Sequence, residues 1–328
     1  MSSVLIVGAG ISGLLAGTVL KEKGHMVTIL DKGRGVGGRM ATRRMASVDE
    51  KEARADHGAQ FFTVRDPQFA AWVDQWIAVG AVKEWCRGFT NQDGHPRYRG
   101  NRGMTDVAKH LAAGLDVKTK TRVTKIYQRN GLWAAETGDE QLFQAEKLIL
   151  TSPVPQTLVL LTDGGTVLPT DADAALREIT YDPTFAVLAR LSGPSQLKTP
   201  GGIQVRGEII DWISDNQIKG ISAVTTVTIH ATPAYTRQHL ERDRDEVALA
   251  LIEEADRAGY FEKSLVEEVQ VQRWMYAQPA TFYGERCLKT DVNGLPIVFA
   301  GDAFLHARVE GAALSGLDAA DRILDKGV

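Results

Sequence analysis

Val4-Leu5-Ile6-Val7-Gly8-Ala9-Gly10-Ile11-Ser12-Gly13-Leu14-Leu15-Ala16 is an apolar strand that runs into three glycines at GxGxxG spacing and then straight into a helical pattern continued by Val19 and Leu20. Gly8 permits the tight turn out of the strand, Gly10 lets a pyrophosphate approach bare backbone, and Gly13 lets helix and strand pack closely. The helix start at Ile11, Ser12 and Gly13 offers N–H groups without intrahelical partners and the positive end of the helix dipole. After Gly24 a second strand, Met26 to Leu30, ends in Asp31, 18 residues beyond Gly13 and near the offset of a carboxylate that accepts ribose hydroxyls. A lone GxGxxG is weak in a chain with 32 glycines. Strand, glycines, helix, second strand and terminal acid in that order point to a bound dinucleotide.

The 328 residues, 44% hydrophobic and 24% charged, allow one large or two ordinary soluble domains with a sizeable core. A net charge of −3 gives no electrostatic reason to expect nucleic acid or an anionic membrane as partner. No apolar run approaches the ~20 residues of a membrane span. With a fold-forming strand at Val4 there is no room for a signal peptide, so the cytoplasm is the expected compartment. Cys86 and Cys287 are too few and too far apart for a disulfide framework or a zinc site, and no metal is expected.

Further along, Pro67 to Gly80 has helical periodicity through Phe69, Trp72, Val73, Trp76 and Ile77. Residues 88–103 read as irregular or hairpin structure in which Arg97, Tyr98 and Arg99 suit a phosphate or simply face water. Thr105 is a plausible cap for the helix carrying Val107 and Leu111. From Asp116 the pattern becomes short strands, with Val117, Arg122 to Tyr127, Leu132 to Ala135 and Gln141 to Ala145 suggesting a small β-meander, and Lys147 to Leu150 is a separate apolar strand that ends in Thr151-Ser152-Pro153. Phe185 to Leu191 and Ile221 to Ile229 are strands, the second with a polar face that ends in His230. A charged amphipathic helix is expected over Tyr235 to Ala258. On the strand Val269 to Pro279, Trp274 and Tyr276 share one side, where they could clamp a planar ring or pack in a core. Leu295 to Ala300 is a buried-type strand that enters Gly301-Asp302, and a final small-residue helix follows Arg308.

Asp31-Lys32-Gly33-Arg34-Gly35-Val36-Gly37-Gly38-Arg39-Met40, a second glycine-rich loop that nicotinamide-binding Rossmann domains generally lack, resembles the flavin amine oxidase superfamily. With Gly58-Ala59-Gln60-Phe61-Phe62-Thr63, Arg273 to Ala280 and Arg308 to Gly311, the likeness extends over essentially the whole chain and is nearest to the bacterial renalase branch. The chain departs from that pattern at Ala303 to Ala307 and at Phe62.

The resemblance implies an α/β fold. A Rossmann-like FAD-binding domain of the glutathione reductase type would comprise 1–57, 100–155 and 283–328. A second, α+β substrate domain on a mixed or antiparallel sheet would comprise 58–99 and 156–282. FAD would be held by Gly8, Gly10, Ile11, Ser12, Gly13, Asp31, Lys32, Gly38, Arg39, Met40, His57, Gly58, Ala59, Gln60, Val123, Thr151, Gly301, Asp302, Val309, Glu310, Gly311 and Ala312. It further implies oxidation of the 2- and 6-dihydro isomers of NAD(P)H to NAD(P)+, with hydride passing to flavin N5 and dioxygen returning as hydrogen peroxide. Such chemistry asks for shape and stacking, from Phe62, His230, Trp274 and Tyr276, with Gln60 and Thr184 orienting. An amine oxidase of the same superfamily is the alternative, and a non-catalytic flavin-binding module has the least support.

Overall fold

Val4 and Ile6 point into one apolar cluster and Leu5 and Val7 into another, so the first strand is buried on both faces, as a central strand of a parallel sheet must be. The structure, a computed structural model, describes residues 1–89 and 93–325. Ser3–Val7 is flanked by Met26–Leu30 and Lys147–Leu150, and the six-stranded sheet runs outward to Asp116–Lys118 on one side and to Leu295–Phe299 and Leu288–Val292 on the other. All neighbours are parallel except the last pair. Register pairs Val7 with both Leu30 and Leu150, and Leu150 with Phe299. Four strands therefore end together, and Gly8, Asp31, Thr151 and Gly301 emerge on one edge, the carboxyl-end crevice where open α/β sheets bind ligands.

Helices Ile11–Glu22 and Val309–Leu324 cover one face, side by side. A Cβ on Gly316 would lie 2.2 Å from the Ser12 carbonyl oxygen, so glycine is what lets these helices touch. The other face is covered by a three-stranded antiparallel sheet of Val123–Arg129, Leu132–Thr137 and Leu142–Ala145 and by helices Val154–Asp163 and Thr170–Arg177.

The second large sheet is wholly antiparallel, in the order Gly202–Gln204, Ile210–Asp215, Thr226–Ala231, Tyr181–Leu191, Val266–Pro279. Its apolar side, with Phe185, Val187, Ile213, Val227 and Ile229, packs on helix Arg244–Arg257 through Val247 and Leu251. Its other side carries Trp212, Thr228, His230, Gln272 and Trp274 toward the nucleotide layer.

Several expectations are corrected. The meander is smaller: Asp116–Lys118 joins the parallel sheet, because a short strand does not reveal its partner. The strand expected from Ile221 begins only at Thr226, since Ile221 N and Ala223 N donate to Asn216 and Glu52 instead of a ladder. The single helix over 235–258 is two, Pro233–Gln238 and Arg244–Arg257, because Asp243 caps a new start by accepting from Asp245 N. Thr105 is not a cap; its hydroxyl donates to the Met40 carbonyl and it opens helix Thr105–Ala112.

Residues 88–103 hold one arm of a hairpin, Val82–Cys86 with Arg97–Gly100, while residues 90–92 lie outside the described residues, as do 326–328 of the segment 283–328. A hairpin read nowhere in the sequence, Thr42–Val48 with Lys51–Asp56, docks on the polar side of the second sheet, where Leu188 meets Met45, Ala53 and Ala55. Conversely, helix Pro67–Ala78 shares a core with the helices beneath the parallel sheet. The two expected domains thus interlock at 42–56 and 67–78.

Candidate flavin and substrate site

Helix Ile11–Glu22 starts at Gly10 and helix Val309–Leu324 at Arg308, and neither start has a side-chain cap. Ser12 Oγ donates to the Ala312 carbonyl at 2.6 Å, so the two uncapped N-termini are pinned together at the crevice. Nothing lies within 4 Å of a Cβ built on Gly10, whereas one on Gly13 would meet the Gly8 carbonyl oxygen at 2.0 Å. Gly13 is thus demanded by packing, and Gly10 leaves its backbone open to a phosphate. Two positive helix ends and bare backbone in one crevice fit the anionic groups of a flavin nucleotide.

Asp31 accepts from Ala9 N at 2.7 Å and Gly33 N at 2.6 Å and so shapes both glycine loops. Thr151 Oγ1 donates to the Val7 and Gly8 carbonyls, both at 3.1 Å. Lys32 Nζ donates to Gln156 at 2.9 Å. Gly38 lies opposite the Gly10 backbone, and Gly301 N donates to Ser315 Oγ. Arg39 makes a two-pronged ion pair with Asp302 at 2.6 and 2.5 Å, and Nη1 also donates to the Tyr276 and Ala277 carbonyls. Burial by itself would lower the Arg39 guanidinium, but Asp302 holds it above its ordinary value. This arginine therefore clasps the second glycine loop to both the C-terminal Gly301-Asp302 turn and the second sheet.

Several other residues have side chains engaged within the fold. Met40 and Phe62 are core residues, Phe62 stacked on Tyr98 with centroids 5.7 Å apart and edge-on to Phe69. Phe62 therefore faces away from the substrate sheet, and it is Phe61, one residue earlier, that points toward it. The Glu310 carboxylate accepts from Arg65 N at 2.6 Å and Asp66 N at 2.8 Å, so it anchors a loop and leaves only its backbone at the helix start. Val123 is buried in the strand pair of the small sheet, opposite Thr137. Gly311 and Val309 lie in the uncapped first turn of the last helix, and a Cβ on Gly311 would strike the His306 carbonyl.

On the opposite wall, His57 lies flat on Trp274, with ring centroids 5.3 Å apart and planes 11° from parallel. Gly58 makes the approach possible, since a Cβ there would lie 2.0 Å from the Arg39 carbonyl oxygen, and Ala59 N donates to that same oxygen. His230 stands two strands away from Trp274, opposite Ala186 and Trp212. Burial first, then Arg43, pushes the His57 imidazole down to about 4. Burial first, then His57 and Lys219, does the same to His230, against a hydrogen bond with the His57 backbone. Both rings are neutral at physiological pH. Thr184 Oγ1 donates to the Ala231 carbonyl at 2.6 Å, tying the strand ends, and Tyr276 packs edge-on against Tyr181.

Gln60 is fully engaged. Its amide nitrogen donates to the Asp56 and Gly58 carbonyls, and its oxygen accepts from Ser214 at 3.0 Å and Lys219 at 3.4 Å. Beneath it, Lys219 Nζ pairs with Asp56 at 2.7 Å with both side chains wholly buried, and Asp56 also accepts from Thr42 Oγ1 and Met104 N. Burial pushes the Lys219 ammonium below its ordinary value, with Asp56 opposing. Lys219 and Trp212 were not legible in the sequence, because neither belongs to a motif and each acquires its role through a contact made across the fold. Arg43, on the hairpin strand Thr42–Val48, donates to Gln272 at 3.1 Å.

Comparison with known proteins bears on the family and the fold. A family model for flavin containing amine oxidoreductases matches residues 76–324, and one for NAD(P)-binding Rossmann-like domains matches residues 6–76. Mouse (Mus musculus) renalase is 26% identical over 97% of each chain. Among solved structures, a putrescine oxidase bound to putrescine superposes with a TM-score of 0.71 at 16% identity, covering 98% of this chain and 99% of that one. Cyclohexylamine oxidase from Brevibacterium oxydans gives 0.69 at 14% identity over 98% of each. At such identities the superpositions speak for the fold.

Proposed function

Because the chain belongs to the flavin-containing amine oxidoreductase family and is renalase-like, we propose that it is an FAD-dependent oxidase of the 2- and 6-dihydro isomers of NAD(P)H. NAD(P)+ and hydrogen peroxide are the products, and dioxygen the acceptor. FAD, when bound, would supply a two-electron acceptor for the substrate's hydride that dioxygen can reoxidise. Gly10, the first turns of helices Ile11–Glu22 and Val309–Leu324, and the Arg39–Asp302 clasp would hold it. The proposed setting is the cytoplasm; among the described residues no helix is long and apolar enough to cross a membrane.

The observation that carries this reading is the neutral, aromatic wall of His57, Trp274 and His230. A hydride leaves with its electron pair, so no separate proton has to be removed, and holding a flat ring in place is the main contribution required. His57 and Trp274 supply the stacking surface, Thr184 fixes the strand ends beside it, and Gln60 fixes the loop that carries His57. The burial that keeps a second proton off these imidazoles, reinforced by Arg43 and Lys219, also opposes an ammonium in the same space, which counts against a charged amine there.

The test is anaerobic mixing of the yellow holoenzyme with dihydro isomers made by borohydride reduction of NAD+. Rapid bleaching is expected. Bleaching by simple amines but by neither isomer would overturn the reading.

A further inference from the structure

His57 Nδ1, His230 Nε2 and Trp212 Nε1 are buried ring nitrogens that lack a hydrogen-bond partner among the described residues. Native proteins keep few such atoms unless something else meets them. Trp212 and His230 are direct cross-strand partners, so their side chains leave the same face of the sheet with Cβ atoms about 5 Å apart. Trp212 is held in place by Phe61, Trp85 and Phe89, at centroid distances of 5.8, 6.3 and 4.9 Å. Gly202 leaves room for it, since a Cβ there would lie 3.0 Å from its ring.

An indole N–H can only donate, whereas an unprotonated imidazole nitrogen accepts. We propose that this donor and acceptor, side by side, bind the carboxamide of the nicotinamide ring, Trp212 Nε1 donating to its carbonyl oxygen and His230 Nε2 accepting from its amide nitrogen. The assignment rests on the dihydronicotinamide reading above. It makes Trp212 and His230 specificity residues: a carboxylate in the same place has no hydrogen for His230, and an ammonium has no acceptor for Trp212.

The experiment titrates the FAD-loaded full-length enzyme with NAD+ and with nicotinic acid adenine dinucleotide, which differ only in carboxamide against carboxylate, and follows flavin absorbance. The amide form is expected to bind roughly tenfold or more tightly, and Trp212→Phe and His230→Phe each to shrink that preference to about twofold. Equal binding of the two dinucleotides, binding of neither, or a preference that survives both substitutions would overturn the proposal. Bleaching by the dihydro isomers is scored separately. A lost preference with bleaching intact removes the carboxamide site alone, and an intact preference without bleaching removes the oxidase reading alone.

Discussion

Trp274 and His57, 217 residues apart in sequence, lie parallel with ring centroids 5.3 Å apart, and the indole Nε1 donates to the His57 carbonyl at 2.8 Å. One side chain thus both stacks on the imidazole and fixes the backbone that enters the Gly58 turn. Trp274→Phe keeps a stacking ring and loses the hydrogen bond, and Trp274→Ala loses both. We expect kcat/KM for the dihydro isomers to fall about tenfold in the first and about a hundredfold in the second, since a buried hydrogen bond and an aromatic contact are each worth on the order of 1 kcal/mol or more. Steady-state kinetics with flavin content measured in parallel checks this; equal activity in all three proteins would contradict it.

The two imidazoles also set a pH dependence. Each titrates at about 4 in the folded chain against 6.5 in the unfolded one, so between those values the unfolded state binds more protons. Stability is complete above 6.5 and is lost as pH falls toward 4, by at most roughly 3 kcal/mol for each ring. The melting temperature should be level above pH 7 and drop through this window. His57→Phe or His230→Phe should flatten the drop, and a variant profile identical to the parent's would exclude these groups as its source.

Asp56 and Lys219 form a buried ion pair that joins the first hairpin to the second sheet. Removing one partner leaves an uncompensated charge, so Asp56→Asn or Lys219→Met should cost about 3–5 kcal/mol, and the double variant should recover a large part of it. Chemical denaturation of the four proteins forms the cycle. Additive losses in the double variant would show that the two groups do not act as a pair.

Gly10 and Gly13 belong to one motif and separate physically. Gly13→Ala forces a Cβ to 2.0 Å from the Gly8 carbonyl oxygen and should destabilise the protein with or without cofactor. Gly10→Ala meets nothing within 4 Å and should leave the melting temperature of the cofactor-free chain unchanged while weakening FAD uptake at least tenfold, because the methyl occupies the phosphate's approach. Reconstitution titrations and thermal melts separate the two; unchanged FAD affinity in Gly10→Ala would place the phosphates elsewhere.

The nucleotide layer was readable because its signals are local. Glycine is required where a Cβ would strike the neighbouring turn, and the strands of the parallel sheet show short, mostly apolar runs at 4–7, 26–30, 147–150 and 295–300. The paired aromatics on Val266–Pro279 and the polar face ending in His230 were visible by their period of two. Phe62 was assigned to the cavity and lies in the core because two adjacent aromatics give no sign of which one faces the sheet. The helix break at Asp243 was hidden because a charged helix and a charged turn have the same composition.

The amino-acid sequence by itself determined the Rossmann half, the second glycine loop and the helix that closes the chain, since each depends on steric and hydrogen-bonding rules acting over a few residues. Only the tertiary structure decided which groups meet on the opposite wall. Asp56 finds Lys219 163 residues away, His57 finds Trp274, and Trp212 faces His230, through the docking of a hairpin on a sheet and the register of its strands. Register and docking are settled by the burial of whole faces, and a single chain's residue order carries no local mark of them.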